Sequence, residues 1–190
     1  MPQNPKQSHP LLVIVGMAGS GKSSVARYLE QKGWRVIRFG ALTMQELEKR
    51  GLPVKEANEK IVREELRAKH GMAAYARLLL PAIKESLANS PTVIDGLYSW
   101  AEYKFLKGHF GQQMKIVAIY TTRSTRYARI SQRPDRPLSF AEAERRDHAE
   151  IENVEKGGPI AIADYTIVND GTRKGLSLAV DKLLSTMYPA

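Results

Sequence analysis

Residues 16 to 23 read Gly-Met-Ala-Gly-Ser-Gly-Lys-Ser and satisfy every fixed position of the G-x-x-x-x-G-K-[ST] pattern. The apolar run Leu11 to Val15 precedes the pattern, and an amphipathic stretch from Ser23 to Glu30 follows it. Strand, glycine-rich loop, then helix is the setting in which this pattern binds phosphate. Backbone N–H groups must converge on a polyphosphate there, so Gly16, Gly19 and Gly21 supply unusual torsions while Ala18, Ser20 and Ser24 keep the loop small. Lys22 reaches the β and γ phosphates, the Ser23 hydroxyl is placed to coordinate Mg²⁺, and the helix aims its positive N-terminus at the same anion. A loop of this kind commits the chain to an α/β fold.

The rest of the pattern agrees. Strand-like runs fall at Leu11 to Val15, Arg35 to Phe39, Thr92 to Ile94, Lys115 to Tyr120 and Tyr165 to Val168, with helical periodicity between them. Five such runs predict a parallel, doubly wound sheet in a three-layer αβα P-loop arrangement, with the strand C-terminal ends gathered on the ligand-binding edge. Gly16, Gly40, Asp95, Thr121 and Asn169 follow strands and meet at that edge. Capping-box spacings start helices at Thr43/Glu46, Ser99/Glu102 and Ser139/Glu142. Pro81 predicts a kink or break near Leu80.

One domain spans 1–190, with its core at 11–40 and 92–188. Residues 41–91 are too long for a single crossover helix and form a helical, acceptor-binding insert. Residues 133–138, with two prolines and two arginines, read as a short lid over phosphates or else as a rigid turn.

The charge balance of 29 basic against 20 acidic residues gives +9, which suits either nucleic acid or phosphorylated small ligands. No basic run resembles a nucleic-acid tail, and aromatics do not interleave with the basic residues. The absence of cysteine excludes disulfides and thiolate metal sites. The four histidines, His9, His70, His109 and His148, have no ligand spacing. The apolar runs are too short for a membrane span or a signal segment, so the expectation is a cytoplasmic protein without membrane association.

Transfer of a phosphoryl group needs Mg²⁺, an aligned acceptor and positive charge around the equatorial oxygens. Asp95, at the end of the third strand run, is the carboxylate to hold Mg²⁺ with Ser23 or to accept the acceptor's proton. Arg126, Arg129, Arg133 and Arg136 recur at helical spacing; Arg129 and Arg133 are the first choices for the transferring phosphate, with a solvated face as the alternative. Arg145, Arg146 and Asp147 either fold over the site or pair in solvent. The turn after the last strand, Asn169 to Gly171, offers an edge for adenine, although Asn-Asp-Gly is also simply a good turn.

The P-loop, Phe39-Gly40, Val93-Ile94-Asp95-Gly96, Arg129 and Arg133, Arg146-Asp147, and Ala163-Asp164 leading to Asn169-Asp170-Gly171 occur in an order that resembles the adenylate kinase and dephospho-CoA kinase group of P-loop kinases, particularly an adenylate kinase-related branch. The resemblance runs almost end to end and implies an ATP- and Mg²⁺-dependent phosphotransferase acting on a nucleotide or nucleotide-like small molecule. Two features depart from it. Where similar proteins have an aspartate and then an arginine after the second-strand glycine, this chain has Ala41 and Met44-Gln45; where they have an arginine after the Asp-Gly pair, it has Leu97-Tyr98-Ser99. Arg63, Arg67 and Arg77 of the insert are the candidates to replace those contacts. The competing reading is a slow, nucleotide-gated ATPase that engages RNA or a protein partner. The oligomeric state is not encoded in any pattern found.

Overall fold

In the computed structural model, which describes residues 9–134 and 137–188, a five-stranded sheet is built from β1 (Leu11–Val15), β2 (Arg35–Arg38), β3 (Thr92–Asp95), β4 (Met114–Tyr120) and β5 (Tyr165–Val168). The order is β2-β3-β1-β4-β5 and every pairing is parallel. All five residues of β1 are buried, as expected of a central strand covered on both faces. The register sets Ile14 beside Asp95 and Val15 beside Ala118, so the loop after β1 and the carboxylate ending β3 emerge together.

Alternation along β1 divides the core. Leu12 and Ile14 pack with Val25, Ala26 and Leu29 of α1 (Lys22–Gln31) and with Leu176 and Val180 of α9 (Arg173–Met187). Leu11, Val13 and Val15 face the other way, onto Tyr75, Ile83 and Leu87 of α4 (Ala74–Asn89) and Leu106 of α5 (Trp100–Phe110). Each fully buried aliphatic side chain of this kind contributes about 1.5–3 kcal/mol.

Between β2 and β3 the chain forms α2 (Gly40–Lys49), α3 (Glu56–His70) and α4. The expected insert at 41–91 therefore divides. Helices α2 and α3 pack on each other at the β2 side, whereas α4 lies on the sheet and supplies the crossover. Two local expectations are corrected. Helix α2 starts at Gly40, so Thr43 is not a cap; its hydroxyl is buried and hydrogen-bonds the Tyr75 hydroxyl at 2.7 Å, and Glu46 pairs with Arg50. The reason lies in Phe39, which is fully buried beside Tyr75 and turns the chain directly from strand to helix. Pro81 does not break α4. Pro81 and Arg77 are both exposed, so the carbonyl left without its N–H partner lies on the solvent side, and burial of the opposite face keeps the helix continuous.

The other two boxes form as expected, Ser99 with Glu102 opening α5 and Ser139 with Glu142 opening α7 (Phe140–Glu152). Helix α6 (Arg123–Ser131) follows β4, and the short α8 (Gly157–Ala161) precedes β5. Among the described residues no helix is long and apolar enough to cross a membrane.

Candidate functional site

The loop after β1 is held in a shape that only glycine permits at its tightest points. Gly21 has φ +101, and a Cβ there would lie 2.2 Å from the Asn169 side-chain amide; at Gly16, φ +146, a Cβ would meet the Ile119 carbonyl at 2.5 Å. Lys22 folds back over the loop, donating from Nζ to the carbonyls of Gly16 at 2.8 Å and Met17 at 3.0 Å. Burial, followed by the charge of Lys156, lowers the Lys22 ammonium to about 7, against the opposing pull of Glu150 and Asp95. An arriving polyphosphate would reverse that balance.

A brace stands behind the loop. Arg126 is buried in a forked ion pair with Asp147 and donates from a guanidinium nitrogen to the Ala18 carbonyl at 3.0 Å. Asn169 donates from Nδ2 to the Ser20 carbonyl at 2.8 Å, and Thr121 donates its hydroxyl to that same oxygen at 3.0 Å. Arg129 donates to the carbonyls of Asn169 at 2.9 Å and Gly171 at 3.4 Å. Thus Arg129, expected at the transferring phosphate, is placed against the 169–171 turn, and Asn169 faces the loop. Ser20 turns its hydroxyl into the interior, and Ser24 borders a small groove beside α9.

In front of the loop opens a cleft of about 1400 Å³ whose walls include Ala18, Gly19, Lys22, Ser23 and Asp95. Ser23 and Asp95 thus present two oxygen donors to one space. That set suits Mg²⁺, which keeps most of its waters and takes its remaining ligands from substrate phosphates. Arg133 and Leu138 of the expected lid also line the cleft, while Asp135 and Arg136 lie outside the described residues.

The far wall is less predictable from sequence. Tyr98 stands where the resemblance leads one to expect an arginine, its hydroxyl packed against Gly40 and Gly96. Beneath it Tyr75 makes an edge contact at 5.9 Å between ring centroids. Each end of this tyrosine pair carries a cation: the Arg67 guanidinium lies 5.5 Å from the Tyr75 ring and the Lys156 ammonium 5.3 Å from the Tyr98 ring. Arg63 also reaches the cleft but is engaged with Glu56 at 2.6 Å and Glu59 at 3.4 Å. Arg77 is not among the cleft-lining residues; it stacks over Phe105.

Lys156 and Glu150 escaped the sequence reading. The Lys156 side chain is only 3% exposed and bonds Glu150 at 2.6 Å, while Arg146 reaches Glu150 at 3.2 Å and Glu56 of α3 at 3.8 Å. Burial works to raise the Glu150 carboxyl, but Lys156 and Arg146 outweigh it and hold the group at about 2. Glu102 has the opposite fate. Its burial pushes the carboxyl up to about 7 even though one oxygen accepts from the backbone N–H groups of Tyr98 and Ser99. The only sequence signal for Lys156 was a lysine in a turn, which is ordinarily a solvated residue.

Comparison with known proteins agrees with this architecture. A family model described as an AAA domain matches residues 12–155. A UPF0200 protein of Thermococcus kodakarensis is 34% identical over 178 residues, covering 92% of this chain and 96% of the relative. A UPF0200 protein of Pyrococcus furiosus is 35% identical over 182 residues, covering 94% and 97%. Among solved structures, TT1252 from Thermus thermophilus superposes with TM-score 0.66 at 22% identity, covering 94% of this chain and 98% of that one. Shikimate kinase from Acinetobacter baumannii, in complex with shikimate, gives 0.60 at 21%, covering 96% of each chain. A gluconokinase from Sinorhizobium meliloti gives 0.56 at 18%, covering 96% and 98%. These likenesses establish the fold of P-loop kinases.

Proposed function

The chain belongs to the AAA domain family and stands with the UPF0200 proteins, and from that premise we propose that it is an ATP-dependent small-molecule kinase. In this reading ATP and Mg²⁺ occupy the loop side of the cleft, and the γ-phosphoryl group passes to a nucleotide or nucleotide-like acceptor on the tyrosine side, as in the adenylate kinase and dephospho-CoA kinase group. The observation that carries the reading is the convergence of Lys22, Ser23 and Asp95 on one cleft of about 1400 Å³.

The chemistry assigned to the chain's own residues is modest. Lys22 would leave the loop carbonyls to hold the β and γ phosphates, Ser23 and Asp95 would hold Mg²⁺, Asp95 through a water, and Asp95 would take the proton of an acceptor that carries one. Bound Mg²⁺ supplies charge neutralisation at the phosphates. Arg126 and Asn169 pin the Ala18 and Ser20 carbonyls and so fix the shape of the loop. The kinase folds of the shikimate kinase and gluconokinase support phosphoryl transfer to a small molecule as the reaction class.

The test is Mg²⁺-ATP consumption with a panel of nucleoside monophosphates, nucleosides, dephospho-CoA and hydroxy acids, with Lys22→Ala as the blank. Acceptor-dependent ADP release, with the phosphorylated product detected by mass spectrometry, is the expected result. Turnover that no acceptor raises would refute the kinase reading and direct attention to a slow ATPase working with RNA or a protein partner.

A further inference from the structure

We propose that Lys156 is a catalytic residue, a second fixed ammonium that shares the transferring phosphoryl group with Lys22 and supplies in space the cation missing from the loop after Asp95. The inference rests on the nucleotide reading of the cleft.

Three observations converge on it. First, Lys156 lines the same cleft as Lys22 and Asp95, and its charge is felt at Lys22. Secondly, it lies over the ring of Tyr98, the residue standing where an arginine is expected from similar proteins, so the positive charge is displaced from β3's loop to the turn above it. Thirdly, that turn is built to hold it. Glu155 adopts φ +54, the sole positive φ among the described non-glycine residues, and the Lys156 N–H bonds the Glu150 carbonyl. The Val154 carbonyl accepts from Trp100 N–H, and Gly158 packs so closely on the Trp100 ring that a Cβ would approach it to 2.8 Å. A buried lysine paired with Glu150, on a strained and anchored turn, lining the same cleft as the glycine-rich loop, has the marks of a charge placed for a reaction.

During transfer the acceptor oxygen bonds to the γ-phosphorus as the bond to the ADP oxygen breaks, the electron pair leaves with ADP, and the acceptor proton passes to Asp95. Negative charge then gathers on the equatorial oxygens, between the two ammonium groups.

The experiment compares binding of MgADP alone with trapping of MgADP plus aluminium fluoride, a mimic of the phosphoryl group in transit, by titration calorimetry. Lys156→Met, and Lys156→Met combined with Glu150→Gln to avoid an orphaned buried carboxylate, are expected to bind MgADP within about threefold of the parent. Both are expected to lose about 10²-fold in fluoroaluminate trapping, with Lys156→Arg recovering part of it. Trapping at the parent level in the double variant overturns the inference, as does an equal loss of both affinities in both variants, which would mark Lys156 as structural. If the parent chain itself fails to bind MgADP, the nucleotide reading falls, and this inference with it.

Discussion

The two sides of the cleft are made differently. The loop side is assembled from a contiguous octapeptide whose glycines touch backbone and amide groups at distances no other residue fits, and its supports are hydrogen bonds to fixed carbonyls. The tyrosine side is assembled from α3, the β3 loop, α7 and the turn before α8, and its cations are held by carboxylates or stacked on rings. One side is rigid by exclusion of volume; the other is poised by charge. On the proposed reading, the contrast teaches that phosphate binding would be written into backbone shape, whereas choice of acceptor would be written into a set of ion pairs.

The contrast is most easily broken at Lys22. Lys22→Ala should lower ADP formation by about 10³-fold or more, read in a coupled assay, without changing the melting temperature. A melting change of equal weight would mean the loop side is held by this charge and not by packing. Next in size, Arg126→Ala leaves Asp147 buried without its guanidinium and should cost about 3–5 kcal/mol in denaturant unfolding. A loss near zero would remove the brace from the argument.

On the other side, Glu102 tests the idea of poise. Because its carboxyl is raised to about 7, the folded protein retains a proton that the unfolded chain has released between the ordinary carboxylate range and neutrality. Stability contributed by the protonated form is therefore lost as pH rises through that window. Glu102→Gln keeps the capping box and should flatten this dependence, worth roughly 3 kcal/mol, in melting curves recorded from pH 4 to 8. An unaltered pH profile would sink the assignment.

Arg67→Ala should raise the acceptor KM about tenfold and leave MgADP affinity unchanged, since Arg67 sits on the tyrosine wall away from the loop. Equal effects on both ligands would merge the two sides into one. The smallest effect is a proton. Lys22 is lowered to about 7 and phosphates would raise it, so MgADP binding at pH 8 should take up close to one proton, and affinity should fall as pH climbs above 7. Calorimetry in buffers of different ionisation enthalpy reads this directly.

How much could be read beforehand follows the same division. The octapeptide, the five strands, Asp95 and two of three capping boxes were legible because each is fixed by local spacing, and the sheet then aligned them. Thr43 misled because its neighbour Phe39 is drawn into the core, a tertiary effect that spacing does not record. The contacts that Arg126 and Arg129 make with the Ala18 and Asn169 carbonyls were not legible: helical spacing says which residues share a face, not what that face meets. Lys156 showed only as a turn lysine, since its place in the cleft arises when a turn remote in sequence folds over Tyr98.

The amide of Asn169 against the Ser20 carbonyl carries a consequence for how the molecule comes into being. Residues 16 to 23 emerge early in synthesis, yet the group that anchors them belongs to the end of β5 and is made almost last. Until β5 has paired with β4 the loop lacks that tether, so a nascent or C-terminally shortened chain should hold nucleotide poorly. Nucleotide captured by the finished loop then favours the complete sheet over every partly formed one, and the ligand becomes a check on the integrity of the far end of the chain.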